Sequence, residues 1–196
     1  MNECRLPWVV ALLALAGVAA AAPPAGTLRF DAEEILIDVR GDVVEVTGIY
    51  HFRVVDGPVP AQPMLYPYPV DPLLGAARTL RLERRQDDGR WTALAFEELP
   101  PQGVRWHLPA AGSGTLAVRT VYRQAMRGTY ARYIVTTTGA WGQPLRKASF
   151  ELRLPADARD PTFSHPFRPK GPSVRVWTYE ATDFQPRKDI VVRYHR

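Results

Sequence analysis

Apolar and polar side chains alternate with a period of two over much of this chain, the pattern of strands with one face buried and one in water. The clearest run is 43–54. Val44, Val46, Tyr50, Phe52 and Val54 share one face, and Glu45, Thr47, His51 and Arg53 share the other, with Ile49 as the exception. Ile35, Ile37 and Val39 form a similar stripe just upstream, and Gly41-Asp42 between the two runs predicts a tight turn and a first hairpin. Leu80 and Leu82 are expected opposite Arg81 and Glu83, after which Asp87-Asp88-Gly89 predicts a second hairpin onto 91–96. Further strands are expected at 104–108, 116–122, 133–138 and 150–154, with 174–179 and 190–194 closing the chain.

Two proline-rich stretches interrupt the pattern. The first, 58–72, holds six prolines, yet Met64-Leu65-Tyr66-Pro67-Tyr68-Pro69-Val70 within it is apolar and aromatic. Proline removes a ladder donor, so this stretch is expected to be an extended edge segment lying along the core. The second, 155–172, is expected to be a long surface loop. No helical stripe of useful length is present; the nearest approach is a single turn at 72–77. Frequent turns with so little helix predict an all-β, immunoglobulin-like antiparallel β-sandwich of about ten strands with long Pro-rich loops, formed by residues 22–196 as one domain. An outer-membrane barrel also alternates, but its strands need about ten residues each, and the prolines here break such a meander.

Residues 1–21 change the picture of where this domain works. Arg5, partly offset by Glu3, precedes the short apolar run 9–18, and Ala19-Ala20-Ala21-Ala22 follows. That order predicts a secretory signal peptide cleaved after Ala21. The apolar run is shorter than the roughly 20 residues of a membrane span. Cleavage removes Cys4, the only cysteine, so thiol chemistry and disulfides are not expected in the exported product. A domain of this size buries roughly 70% of its unfolded surface and needs no such staples. The expected location is the periplasm or the exterior, with no membrane span.

The formal net charge of +5 is modest, and its arginines are spread along the chain, densest at Arg84-Arg85 and Arg146-Lys147. Solvated strand faces explain that spread, and nucleic acid is not an expected partner. The four histidines His51, His107, His165 and His195 show no metal-ligand spacing, and neither HExxH nor CxxC is present. Ser113 in Gly-Ser-Gly lacks the spacing and following helix of a nucleophile elbow. Adjacent acids such as Glu33-Glu34 and Glu97-Glu98 point to opposite faces of a strand and do not converge. Neither a catalytic set nor a metal or cofactor site is expected.

The stretches 43–52 and 64–71 together resemble the front half of VIT (vault protein inter-alpha-trypsin) domains, in which an alternating strand leads to a Tyr-x-Phe-Pro-Leu-Pro-like segment. Here Tyr68 stands for the phenylalanine and Val70 for the leucine. The stretch 182–192, with Pro186 and Asp189 before Ile190-Val191-Val192, is similar to the closing strand of the same domains. The segment 133–141 resembles a motif of exported bacterial all-β proteins of unknown function. These likenesses imply a β-sandwich with a binding or scaffolding role. The D-x-S-x-S metal motif of the von Willebrand A domains that usually follow VIT domains is absent from this sequence.

The functional expectation is an exported, non-enzymatic module that binds a protein or a cell-envelope polymer. Its candidate binding residues are aromatic: Tyr66, Tyr68, Trp141, Trp177 and Tyr179. A carbohydrate-binding module using exposed Trp141, Trp177 and Tyr179, or a hydrolase built around His165, are the alternatives.

Overall fold

The computed structural model describes residues 26–172 and 175–196. The leader with Cys4, and Val174 of the closing strand, lie outside the described residues. Among the described residues, fourteen strands form three sheets. They are β1 (Thr27–Arg40), β2 (Val43–Val55), β3 (Gln62–Pro67), β4 (Leu74–Arg85), β5 (Trp91–Ala93), β6 (Phe96–Leu99) and β7 (Gly103–Leu108), followed by β8 (Thr115–Met126), β9 (Tyr130–Tyr133), β10 (Leu145–Arg153), β11 (Arg159–Phe163), β12 (Arg168–Pro169), β13 (Val176–Phe184) and β14 (Ile190–His195). The large sheet runs β12-β13-β10-β1-β2-β8-β4-β5; two smaller sheets run β11-β14-β9 and β3-β7-β6.

The all-β sandwich expected from the alternation is the fold observed. The first hairpin pairs Arg40 with Val43 across Gly41, whose φ of 59° suits glycine. Val44, Val46, Tyr50 and Phe52 are all buried on one face, joined by Ile35, Ile37 and Val39 from β1. Proline-rich β3 is an edge strand, as expected. Tyr68 N–H donates to the Gln102 carbonyl, so Pro63 and Pro67 occupy the alternate positions that point away from β7. On the outer face, arginines pair across strands: Arg119 with Glu83 at 2.7 Å and Arg123 with Glu45 at 2.6 Å.

Five local expectations are corrected. The sandwich is not purely antiparallel, because β1 pairs parallel with β10. Residues 155–172 are not simply a loop, since they carry β11 and β12, and β11 adds to β14. Residues 133–138 do not continue as a strand; a 3-10 helix, Thr136–Trp141, starts there. Residues 72–77 form no helical turn: a turn at 72–73 leads directly into β4, which takes up 74–77. Leu80 is exposed while Leu82 is buried, because a register shift between Thr79 and Arg81 breaks the alternation.

A second shift, between Phe30 and Ala32 in β1, matters more for the site. Upstream of it the inward residues are Leu28 and Phe30; downstream they are Glu33, Ile35, Ile37 and Val39. The extra residue, Asp31, turns to an arginine cluster, with Arg146 at 2.8 and 2.5 Å and Arg53 at 2.7 Å. Arg146, together with Arg53, holds the Asp31 carboxyl down to about 2.

Candidate functional site

The inward alternation after the bulge sets a carboxylate among apolar side chains. Glu33 is 2% exposed and pairs directly across from Tyr50 of β2. Its Oε1 is buried without a hydrogen-bond partner. Burial pushes the Glu33 carboxyl up to about 8, because the charged form loses its hydration with no ion pair in return. Its neighbour Glu34 faces water and meets His51 at 2.9 Å, so the two acids do point to opposite faces.

Glu33 lines a cavity of about 80 Å³ where the three sheets meet. Half of its lining residues are aromatic, contributed by β1, β2, β3, β7, β9 and the 3-10 helix. Leu65 and Thr137 line it and are also exposed, which places them at its mouth. Tyr50 Oη lies 2.8 Å from Tyr66 Oη and 3.1 Å from Tyr133 Oη, with Thr120 Oγ1 donating to it at 3.4 Å. Three phenols carry three protons, and two phenol–phenol bonds use two of them. The third phenol proton is the one that these two bonds leave free to reorient. Burial raises all three phenols above their ordinary value, so they stay neutral.

Glycine at 48 makes this arrangement possible. Gly48 precedes Tyr50 on the same face, and a Cβ there would lie 2.0 Å from Tyr50 Oη. The missing side chain lets the phenol lie along its own strand towards Tyr66 and Tyr133. The far wall is Trp141, whose ring sits 5.6 Å from Phe30 and 5.4 Å from Phe52.

The helix that carries Trp141 is fixed from a distance. Asp189, just before β14, accepts from Val135 N–H at 3.2 Å, Thr136 N–H at 3.3 Å and Thr136 Oγ1 at 2.8 Å. Its other oxygen takes Arg132 at 2.6 Å. Partial burial opposes the Asp189 charge, but the bonds from Arg132 and Thr136 outweigh it and hold the carboxyl below its ordinary value.

Two of the five candidate aromatics, Tyr66 and Trp141, come together at this cavity. Tyr68 is buried behind it, bonded to Thr79 Oγ1 and packed on Tyr122, with burial raising its hydroxyl to about 12. Trp177 and Tyr179 lie elsewhere, half-buried on β13, Trp177 against Phe163 and Tyr179 stacked on Phe150 at 5.6 Å. Of the five, Tyr68 is buried and the other four are half-buried. His165 packs on Tyr179, and its Nδ1 meets Ser164 Oγ at 2.9 Å. Burial lowers its pKa. Ser164 Oγ is itself spent on the backbone of Asp189 and Val191, which makes it a strand clamp.

Glu33, Tyr50 and Tyr133 are the site residues that the sequence reading missed. The signal for Glu33 was present: extending the Ile35, Ile37, Val39 stripe back by two places an acid on the apolar face. A larger, shallow depression on the outer face offers less. Its acids are already paired, Glu151 with Lys170 and Arg153, Glu34 with His51, and Glu180 with Lys147.

No family model and no curated protein matches this chain. Among solved structures it is similar to an M1 zinc metallopeptidase from Deinococcus radiodurans, with a TM-score of 0.49 and 16% identity over 87% of this chain and 44% of that one. A variant of a two-domain M1 zinc metallopeptidase bound to L-arginine gives a TM-score of 0.48 at 16% identity, over 86% of this chain and 43% of that one. The chain thus spans less than half the length of either. A likeness at this level assigns neither family nor activity. Among the described residues, no group of three or more His, Cys, Asp or Glu side chains is placed to hold a metal ion. Nor is any described helix long and apolar enough to cross a membrane.

Proposed function

We propose that this chain is an exported, non-enzymatic β-sandwich binding module whose ligand site is the aromatic cavity at the junction of its three sheets. Its partner is a protein or envelope polymer that offers a compact side group to that cavity. The observation that carries this reading is a preformed concave space lined half by aromatic rings, with the buried Glu33 Oε1 left unpaired among them. Export rests on the leader pattern of residues 1–21, which lie outside the described residues.

VIT-like kinship is part of the same proposal. Its support is that the stretches behind the likeness supply the site: 43–52 gives Tyr50, 64–71 gives Tyr66, and 182–192 gives Asp189, which accepts hydrogen bonds at the start of the helix bearing Trp141. The remaining stretch singled out in the sequence, 133–141, gives Tyr133 and Trp141.

Affinity capture from envelope fractions after mild crosslinking tests the reading, with Thr137→Trp as the comparison. Thr137 is exposed at the cavity mouth, so a bulky ring there closes the entrance without entering the core. Wild-type protein is expected to enrich a partner reproducibly and the variant to lose it. Equal capture by both proteins, or no partner for either, overturns the proposal.

A further inference from the structure

The geometry points to a compact organic cation, a protonated or methylated ammonium group, as the group that enters the cavity, seated against the aromatic faces with the Glu33 carboxylate as its counter-ion. This rests on the cavity being the ligand site and adds the charge of what it takes. Aromatic faces are negative, and a desolvated cation over several of them is held more strongly than in water. Glu33 supplies the full charge from within the lining, and no Lys, Arg or His is among the described residues that line the cavity to neutralise it. A purely apolar ligand would leave Glu33 Oε1 unsatisfied in a dry site. An anion would meet both the carboxylate and the ring faces.

Size agrees with charge. A single water needs about 10–15 Å³, so a cavity of about 80 Å³ holds a group of several heavy atoms. A methylated ammonium head fits that description and can fill the space with methyl–ring contacts.

Binding of such a group is coupled to loss of a proton. Empty, the buried carboxyl is mostly protonated at neutral pH, since burial carries it up to about 8. The cation requires the ionised form, so affinity rises with pH. The titratable groups that face Glu33 are Tyr50 of β2, Tyr66 of β3 and Tyr133 of β9, all held above their ordinary value. Trp106 of β7 and Thr137 and Thr138 of the 3-10 helix, which line the same space, do not titrate. Glu33 is thus the group whose ionisation sets the profile.

Isothermal titration calorimetry of the intact protein with tetramethylammonium chloride, at constant ionic strength, is the test. The charge of this probe does not titrate, so any pH dependence belongs to the protein. Neopentyl alcohol, which has the same branched skeleton with one added hydroxyl, serves as an uncharged, water-soluble control. Affinity for the cation is expected to rise roughly fifty-fold from pH 6 to pH 8 and by less than about twofold beyond, following the ionised fraction of one group. Neopentyl alcohol is expected to bind at least about tenfold more weakly, and Glu33→Gln to abolish cation binding while thermal melting shows it folded. A flat pH profile, equal binding of the alcohol, unchanged affinity in Glu33→Gln, or no cation binding up to about 100 mM each overturns the inference. Alcohol binding without preference for charge removes the cation and leaves the cavity reading standing. Partner capture that ignores Thr137→Trp removes the cavity reading itself.

Discussion

Replacing Glu33 with Gln removes one buried ionisable group and keeps its shape. The Glu33 carboxyl titrates near 8 in the fold, against an ordinary value of 4.5. Below 4.5 both folded and unfolded chains hold the proton, and the group makes no difference. Between 4.5 and 8 the unfolded chain releases its proton while the folded chain keeps it, so stability falls by about 1.4 kcal/mol per pH unit. Above 8 the loss is complete, at about 4–5 kcal/mol. Gln cannot ionise, so the variant retains at pH 9 what the wild type has lost. Urea denaturation at pH 5, 7 and 9 measures the difference, and all other titrating groups cancel because the two proteins share them. The two should agree within about 1 kcal/mol at pH 5, with the variant ahead by roughly 3 kcal/mol at pH 7 and about 4–5 kcal/mol at pH 9. At about 2–4 °C per kcal/mol, the melting temperature at pH 9 rises by about 10 °C or more. A stability difference that stays constant from pH 5 to pH 9 would refute the argument that Glu33 is held neutral by burial.

Gly48→Ala drives a Cβ to 2.0 Å from Tyr50 Oη and should cost about 1–3 kcal/mol by overpacking; in a Tyr50→Ala background the same change should cost under about 1 kcal/mol, and additive costs in the double-mutant cycle would contradict the steric account. Asp189→Ala strips three hydrogen bonds from the start of the 3-10 helix and one ion partner from Arg132. A loss of about 2–4 kcal/mol is expected, with faster amide exchange at Val135 and Thr136 by NMR. Leu82→Ala should cost about 2–4 kcal/mol while Leu80→Ser stays within about 0.5 kcal/mol; similar costs in thermal melts would place both leucines in the core. Asp31 has its pKa depressed to about 2, so its stabilisation is present above 3.8 and is lost as pH falls towards 2. Asp31→Asn should cost up to about 2 kcal/mol at pH 7, reduced because Arg146 is largely exposed, and nothing near pH 2 in acid titrations of both proteins.

Local pattern carried much of the fold and little of the site. The β1–β2 hairpin was legible because strict alternation and a two-residue turn fix both faces and register at once. The edge position of β3 was legible from its prolines. Leu80 was misplaced because a bulge shifts the parity of every residue on one side of it, and single-residue insertions leave no mark in composition. The 3-10 helix was hidden for a different reason. Thr136-Thr137-Thr138 has the β-branched make-up of a strand, and the groups that end the strand come from Asp189, over fifty residues away. Of the site, Tyr66 and Trp141 were named beforehand, but their meeting with Tyr50, Tyr133 and Glu33 depends on three sheets closing over one another, which alternation within single strands does not encode.

The parallel pairing of β1 with β10 imposes an order on how this chain matures. Residues 32–38 find their partners in 147–153, so one side of a fourteen-residue strand at the middle of the large sheet has nothing to bond until most of the chain is available. Contacts so distant in sequence form slowly. A polypeptide that emerges from its amino end meanwhile presents β1 as a long open edge, the kind of surface on which a second chain readily nucleates. Any fragment ending before β10 keeps that edge indefinitely, and should accumulate as aggregate where the whole domain does not.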